Sequence, residues 1–306
     1  MRAATAQSLA LSGKLSESEA AFHDLIAECE RTLGTDHDFT LHNRVLFAHA
    51  LSWHNKFSEA QREMQAVLKV DEHKRGAEDS ITLSVRGEIA SFLLLEGKGK
   101  EAATEFRDIL KILDRTAGPE HRATVAVRTN YASCLESLGR WEDAEKELKA
   151  IIPIAEKFYG MDNDETLRCR DLLAGAWRGQ KKFQEAEAES RAVLAIRLKK
   201  LGPEHINTLV SQNNLTDMLI AQDKYKEAQQ QALEVFTMLQ EKKHPLNPEV
   251  IRLHGNIALC LQKTGQTELA KRMAKRVVEE SQHIFGPQHA MTKQYEKQKE
   301  EIDAGK

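Results

Sequence analysis

Residues 124–159 read TVAVRTNYASCLESLGRWEDAEKELKAIIPIAEKFY, and this stretch shows the unit from which the chain is built. Apolar residues recur at helical spacing from Val125 to Leu138, which predicts an amphipathic helix that we call helix A. Gly139 can adopt the positive φ at which helices commonly end, and Trp141 opens a second helix, helix B. The stretch therefore predicts two antiparallel helices joined by a tight turn.

The same pattern returns every 42 residues, and we number each repeat from its threonine as position 0. This threonine is Thr40, Thr82, Thr124, Thr166, Thr208 and Thr292, with Val250 in the remaining place. Position 20 holds Ala60, Ala102, Ala144, Ala186, Ala228 and Ala270, preceded by Ser18. The linker before the threonine holds Gly34, Gly76, Gly118, Gly160, Gly202 and Gly286, with His244 as the exception. A repeat of this length cannot bury its apolar face alone, so the pattern predicts a stack of helix pairs.

Three further columns predict how the two helices of a repeat meet. Position 8 is small, which allows a close approach, at Ala6, Ala48, Ala90, Ala132, Ala174 and Ala258. Position 15 holds residues that tolerate left-handed backbone, namely Gly13, Asn55, Gly97, Gly139, Asp223 and Gly265, with Lys181 as the exception. Position 17 opens helix B with a bulky residue, which is Leu15, Phe57, Trp141, Phe183 or Tyr225. The threonine at position 0 is predicted to N-cap the next helix A.

These columns also distinguish between families of helical repeats. HEAT and armadillo repeats have overlapping periods. Small residues at positions 8 and 20, together with the spacing of Ala102 and Phe106, instead resemble the tetratricopeptide repeat. The linkers at 33–37 and 201–205 (LGTDH and LGPEH) and the Asn-Asn-Leu at 213–215 resemble the kinesin-light-chain class of that repeat. The resemblance covers essentially the whole chain.

The resemblance implies an all-α fold, a right-handed superhelical solenoid of about seven repeats followed by a capping helix. The predicted array occupies residues 1–291, with repeats near 1–39, 40–81, 82–123, 124–165, 166–207, 208–249 and 250–291. Residues 292–306 are predicted to form a polar capping helix, because Glu300 replaces the small residue at position 8. Met1 enters inside a repeat, which suggests either an upstream partner segment or an edge for self-association.

Composition argues against several classes of protein. A net charge of −3 gives no reason to expect nucleic-acid binding, and no apolar run approaches the length of a membrane span. Cys29, Cys134, Cys169 and Cys260 form no C-x-x-C pair and are interpreted as free thiols in a reducing compartment. The N-terminal segment fits the first helix A better than a transit peptide. The sequence thus predicts a cytoplasmic protein.

No motif in the sequence indicates catalysis or metal binding. His37, His121, His205 and His289 recur in the linker column and are interpreted as turn residues, each in a different repeat. His42 and His49 lie about two helical turns apart, roughly 10.5 Å, which is too far to share one zinc ion. The stretch at 97–100 (GKGK) lacks the remaining residues of a phosphate-binding loop. We therefore expect a protein without enzymatic activity, cofactor or metal.

The resemblance further implies that helix A lines a concave groove through positions 2, 5, 6, 9, 12 and 13. The candidate groove residues are Trp53, Leu94, Leu95, Asn130, Arg168, Arg178, Asn213, Asn214, Arg252, Asn256 and Lys263. Asparagine can donate to and accept from an extended peptide, and arginine can hold a carboxylate. The hypothesis is an extended peptide with an apolar side chain near Trp53 and acidic groups near the Arg/Lys end.

Two functions agree with this sequence. The first is a protein-interaction scaffold that binds a peptide segment of a partner in the groove. The second is a sensor or regulatory array of a larger signalling protein. A cargo-adaptor role is not carried over, because the chain lacks the heptad coiled coil with which kinesin light chains associate with their motor.

Overall fold

The computed structural model describes residues 2–11, 14–54 and 56–305, with only the backbone of Leu11, and its secondary structure within them is helical. The chain divides into two compact units, residues 1–160 and residues 161–306. The first unit contains α1 (Arg2–Leu11), α2 (Leu15–Leu33), α3 (Asp38–Trp53), α4 (Phe57–Arg75), α5 (Ser80–Leu95), α6 (Gly99–Thr116), α7 (Arg122–Ser137) and α8 (Trp141–Tyr159). The second contains α9 (Asp164–Gly179), α10 (Phe183–Leu201), α11 (Ile206–Ala221), α12 (Tyr225–Glu241), α13 (Pro248–Lys263), α14 (Thr267–Phe285) and α15 (Ala290–Asp303). Odd-numbered helices are A helices and even-numbered helices are B helices.

The packing of each helix pair follows the columns read from the sequence. Helix B begins at the bulky residue of position 17 in five repeats, for example at Phe57 and Trp141. The alanines at position 20 are completely buried, as are Ala48 and Ala132 at position 8. Because these small side chains meet where helices A and B are closest, larger residues there would overpack the core.

The turns between helices use left-handed backbone where the sequence predicts it. Gly139 has φ +71° between α7 and α8, and the linker glycine Gly118 has φ +88°. Lys181, the exception at position 15, adopts the same conformation with φ 63° despite its side chain. Gly13 and Asn55, assigned to this column from the sequence, lie outside the described residues.

The cap of helix A is not the threonine. In every A helix from α3 onward the N-cap lies three residues before position 0, and in four of these helices it is a histidine: His37, His121, His205 and His289. Nδ1 of His121, for example, accepts a hydrogen bond of 3.2 Å from the backbone N–H of Ala123. Thr124 lies inside the helix and its hydroxyl donates to the carbonyl of Gly118 at 2.7 Å. The prediction that the threonine caps helix A was wrong. In these four helices the imidazole three residues earlier is the N-cap, and the threonine hydroxyl instead forms a hydrogen bond to the linker.

Replacing His121 with alanine is expected to lower the free energy of unfolding of the first unit by about 1 kcal/mol, because the N-terminal N–H of Ala123 loses its acceptor. His121→Asn should retain stability, since Asn163 caps α9 through the equivalent bond to Glu165 N–H at 2.9 Å. Urea denaturation followed by circular dichroism measures both variants. Equal loss in the two would show that the imidazole acts through packing instead.

A series of ion pairs joins helix A to helix B within successive repeats. Position 4 holds an arginine that contacts a glutamate at position 23 of the same repeat: Arg44–Glu63, Arg86–Glu105, Arg128–Glu147 and Arg170–Glu189. Arg128 also contacts Asp114 on the preceding B helix, at 2.7 Å. We call this set the arginine series. These arginine side chains are mostly buried, from 12 to 25% exposed, so each arginine fills the space between its helices.

The last helix, α15, packs against α13 and α14. Tyr295 and Ile302 are its buried apolar residues, and the amide of Gln298 donates to the carbonyl of Gly255 at 2.9 Å. Across the described residues, every helix is too short or too polar to cross a membrane.

Candidate functional site

The candidate site is the face of the A helices formed by positions 2, 6, 9 and 13, which we call the A-helix face. Position 6 is half-buried in all six repeats from the second to the seventh, as Leu46, Glu88, Asn130, Leu172, Asn214 and Asn256. Position 9 is half-buried in the same repeats, as His49, Ser91, Ser133, Gly175, Asp217 and Leu259. In both units this face is accessible, yet lies close to the packed interior.

The A-helix face of the first unit ends in exposed apolar residues. Trp53 is 41% exposed at the end of α3, and Leu95 is 57% exposed at the end of α5. Leu94 beside it is half-buried. Nearer the middle of these helices, His49 Nε2 lies 3.2 Å from the carboxylate of Glu88, which brings α3 and α5 together. Trp53 therefore remains available for contact instead of being packed away by the neighbouring repeat.

The A-helix face of the second unit carries a polar network between α11 and α13. The guanidinium of Arg252 donates to Oδ1 of Asn214 at 3.0 Å and forms an ion pair with Asp217. Nδ2 of Asn256 donates to Oδ1 of Asp217 at 2.8 Å. The network aligns two amides, one carboxylate and one guanidinium side by side on neighbouring helices.

The sequence predicts that the Arg/Lys end of the groove is basic, but the charge of Arg252 in this network is compensated. Burial would lower the pKa of Arg252, but the carboxylates of Asp217 and Glu249 outweigh it and raise the pKa above its ordinary value. Two carboxylates thus compensate the charge of one guanidinium, so the donors of Arg252 are already engaged within the protein. Arg168 lies 3.8 Å from Glu165. Arg178 and Lys263 are exposed cations on the A helices of this unit.

Asn213 does not lie on the A-helix face. It is 1% exposed, and its amide donates to the backbone carbonyl and to the carboxylate of Glu249, both at 2.9 Å. Two glycines at position 5 likewise face the next A helix in the same unit. A Cβ on Gly255 would lie 2.8 Å from Cε1 of Tyr295, and one on Gly87 would lie 3.1 Å from Cγ2 of Val127. In these repeats position 5 is therefore a packing position, and Asn213 is removed from the candidate residues.

A buried ion pair beneath this face was not predicted. Arg197 on α10 is 4% exposed and donates to Asp171 on α9 and to the hydroxyl of Ser211 on α11, both at 2.5 Å. Burial raises the pKa of Asp171, and the Arg197 guanidinium and the Asn214 amide oppose that shift only in part. The available signal was weak: an arginine in a B-helix column whose other residues are all buried, namely Cys29, Asp71, Leu113, Ala155, Leu239 and Ser281.

A second ionic contact links the turn of one repeat to the B helix of the preceding one. The carboxylate of Glu187 on α10 accepts from Lys224 at 2.7 Å and from the amide of Gln222 at 2.8 Å. Lys224 is the main cause of a pKa of Glu187 lowered to about 2. In the first unit Lys56 contacts Glu19 at 2.6 Å in the same arrangement. These contacts fix the register of neighbouring repeats and carry no obvious ligand chemistry.

Comparison with known proteins gives the family. A sequence profile of the tetratricopeptide repeat matches residues 81–157, 126–188 and 172–241, which together span more than half of the chain. No curated protein matches the chain by sequence. Because the profile covers the central repeats, it assigns the chain to the tetratricopeptide repeat family without reference to any single relative.

Solved structures agree with this fold. A Podosopora anserina protein described as a putative kinesin light chain with nearly identical TPR-like repeats is 23% identical, with a TM-score of 0.58 over 67% of this chain and 97% of that one. BtubC (BKLC) from P. vanneervenii is 17% identical, with a TM-score of 0.60 over 76% of this chain and 94% of that one. A Rap protein complexed with Competence and Sporulation Factor is 12% identical, with a TM-score of 0.60 over 92% of this chain and 76% of that one. The chain thus belongs to the tetratricopeptide repeat family and has a fold similar to that of kinesin-light-chain-like repeat proteins.

Proposed function

We propose that the protein is a non-catalytic interaction scaffold that binds an extended segment of a partner protein on its A-helix face. The observation that carries this proposal is the polar network of Asn214, Asp217, Arg252 and Asn256 on the second unit. It places hydrogen-bonding side chains from two neighbouring helices on one accessible face. Repeat arrays commonly bind partners on such faces, because successive repeats present equivalent positions side by side.

The chemistry of the network suits a peptide backbone. An extended segment presents alternating N–H and C=O groups that must be paired when water is excluded. Asn214 and Asn256 each bring a side-chain amide with two donors and a carbonyl acceptor, and their bonds to Arg252 and Asp217 leave part of that capacity open. These bonds also hold the two amides in place before a ligand arrives, which reduces the entropy lost on binding.

The A-helix face of each unit also offers contacts for side chains of a partner. On the first unit, the exposed Trp53 is proposed to contact an apolar side chain of a partner, since tryptophan is among the residues that contribute most to binding energies, and the exposed Leu95 adds apolar surface. Acidic groups of a ligand would be attracted to Arg178 and Lys263 more than to Arg252, which Asp217 and Glu249 already compensate. Each unit is thus proposed to contribute by itself: the first offers an apolar contact, and the second binds a peptide mainly through its backbone.

The test compares wild type with the Asn214→Ala/Asn256→Ala variant in an affinity pull-down from host lysate, read by mass spectrometry. Proteins captured by wild type and lost from the variant are expected. The matched control is Gln184→Ala/Gln240→Ala, which removes two exposed amides from B helices of the same unit. Circular dichroism melts establish that each variant is folded. An identical protein list for wild type and the asparagine variant would contradict binding on this face.

The second candidate function is the sensor array of a larger signalling protein. The Rap protein with the same fold was solved with Competence and Sporulation Factor bound, and it aligns with 92% of this chain. Reading the complete gene distinguishes the two functions. An effector domain encoded in the same reading frame would favour the sensor, whereas repeats alone would favour the scaffold.

A further inference from the structure

The side-chain amide of Asn214 has a fixed orientation on the A-helix face of the second unit. Its Oδ1 accepts from the guanidinium of Arg252 at 3.0 Å, so the oxygen end of the amide faces α13. Because a guanidinium can only donate, an amide turned over would place N–H donors against it. Burial raises the pKa of Asp171 on α9, and the Arg197 guanidinium and the Asn214 amide oppose that rise, as N–H groups facing a carboxylate do. The nitrogen end of the Asn214 amide thus faces α9.

The amide of Asn256 is oriented in the same sense on the next A helix. Its Nδ2 donates to Oδ1 of Asp217 at 2.8 Å, so its nitrogen end faces α11. An ionised carboxylate can only accept, and an amide turned over would place oxygen against oxygen. Since Asp217 also pairs with Arg252, one ion pair orients both amides. Asn214 and Asn256 therefore both present nitrogen toward the earlier A helix and oxygen away from it.

Both amides keep hydrogen-bonding groups for a ligand. A side-chain amide has two N–H donors and an oxygen that accepts twice, and the contacts with Asp171, Arg252 and Asp217 engage one group at each end at most. In an extended chain the N–H and C=O of one residue point to the same side, so both can pair with one partner. One amide can therefore accept from the N–H and donate to the C=O of a single peptide residue.

This pairing has a direction, because the N–H of a residue precedes its C=O along the chain. The peptide N–H must lie at the oxygen end of each amide, and the peptide C=O at the nitrogen end. A peptide that pairs with both asparagines has to cross from α13 to α11, since the two amides lie on neighbouring helices. Its N-terminal end then lies on the side of α15 and its C-terminal end on the side of α9.

We propose that the second unit binds an extended peptide in one polarity, with the peptide running from N to C against the order of the A helices in the chain. The ion pair of Asp217 and Arg252 is the positioning element that selects this polarity. A peptide of the opposite polarity would place its N–H groups against the amide nitrogens and its C=O groups against the amide oxygens. The inference rests on the peptide binding proposed above and adds the direction of the ligand to it.

The experiment selects octapeptides from a random display library on the full chain and keeps those whose binding is lost in Asn214→Ala/Asn256→Ala. An extended octapeptide spans about 27 Å, and the first and last of four packed helices are separated by roughly 24–30 Å. A nitroxide on either end of the peptide broadens nearby amide resonances in ¹⁵N NMR spectra of the full chain. The N-terminal label should broaden resonances of α13 and α15, and the C-terminal label those of α9.

The outcomes separate the polarity from the binding itself. The reverse pattern of broadening, or equal broadening of the same helices by both labels, would overturn the polarity and leave the proposed binding intact. A selection that gives no asparagine-dependent peptide would contradict both.

Peptides of reversed sequence test whether the ion pair sets the direction. They can place the same side chains in the same order only with the opposite polarity, and should bind wild type at least about tenfold more weakly. Arg252→Gln/Asp217→Asn keeps the net charge and replaces both ions with amides, which pair in either orientation, so the two peptides should bind this variant about equally. The matched control, Arg272→Gln/Asp164→Asn, changes exposed residues of α14 and α9 and should keep the wild-type preference. An undiminished preference in Arg252→Gln/Asp217→Asn would overturn the role of the ion pair, and the labelling result on wild type stands even if this variant fails to fold.

Discussion

Replacing Arg197 with methionine is expected to lower the free energy of unfolding of the second unit by about 3–5 kcal/mol. The substitution keeps a long side chain but leaves the carboxylate of Asp171 without the guanidinium that lies 2.5 Å from it. Side chains in this pair are 5 and 11% exposed, so water cannot take over the lost contact. Urea denaturation of the full chain, with hydrogen exchange of α9, α10 and α11, measures the loss and locates it.

Two controls separate the buried charge from general damage to α10. The double variant Arg197→Met/Asp171→Leu removes both charges and should recover most of the lost stability, because no uncompensated carboxylate remains. Lys199→Met changes an exposed cation on the same helix and should shift stability by less than about 0.5 kcal/mol. A single Arg197→Met variant as stable as Lys199→Met would show that the ion pair is not buried as described.

Replacing Phe106 with alanine is expected to cost the first unit about 3–5 kcal/mol, because the cavity left behind is closed on all sides. Phe106 is completely buried on α6, with its ring centroid 6.3 Å from that of Tyr131 on α7. In a repeat array the interface with a neighbour is lost together with the repeat that forms it. Hydrogen exchange should therefore rise in α5, α6 and α7 before it rises elsewhere in the unit.

Phe158→Ala is the matched control for this prediction. It removes the same side chain from α8, where the ring is 49% exposed, and should cost less than about 1 kcal/mol. If Phe106→Ala and Phe158→Ala lowered stability equally, the burial assigned to α6 would be wrong.

Much of the fold could be predicted because packing imposes the same requirement on every repeat. Phe57 and Trp141 begin their helices where the bulky column predicted, and Ala102 and Ala144 are completely buried at the predicted contact. The cap of helix A could not be predicted in this way, because threonine is a better general N-cap than histidine. Only the geometry shows that the linker places the imidazole three residues earlier.

The candidate site was predicted less well than the fold, because adjacent residues of a helix point in different directions. Asn213 and Asn214 are adjacent in sequence, but successive helical residues point about 100° apart, so one faces the next helix and the other the accessible face. Arg197 was missed because a single arginine in a buried column gives no periodic signal. The exposure of Trp53, by contrast, agrees with a position at the open end of its helix.

The contacts between neighbouring repeats also bear on how the chain folds. Asn213 with Glu249, Asn214 with Arg252 and Gly255 with Gln298 are 36, 38 and 43 residues apart, short distances in a chain of 306. Low contact order favours fast folding, because little loop entropy is lost before each contact forms. At ribosomal speeds of about 5–20 residues per second a new repeat emerges roughly every 2–8 s. Each repeat can thus pack on its finished predecessor during synthesis, and its apolar surface is exposed for seconds, not until the whole chain is complete.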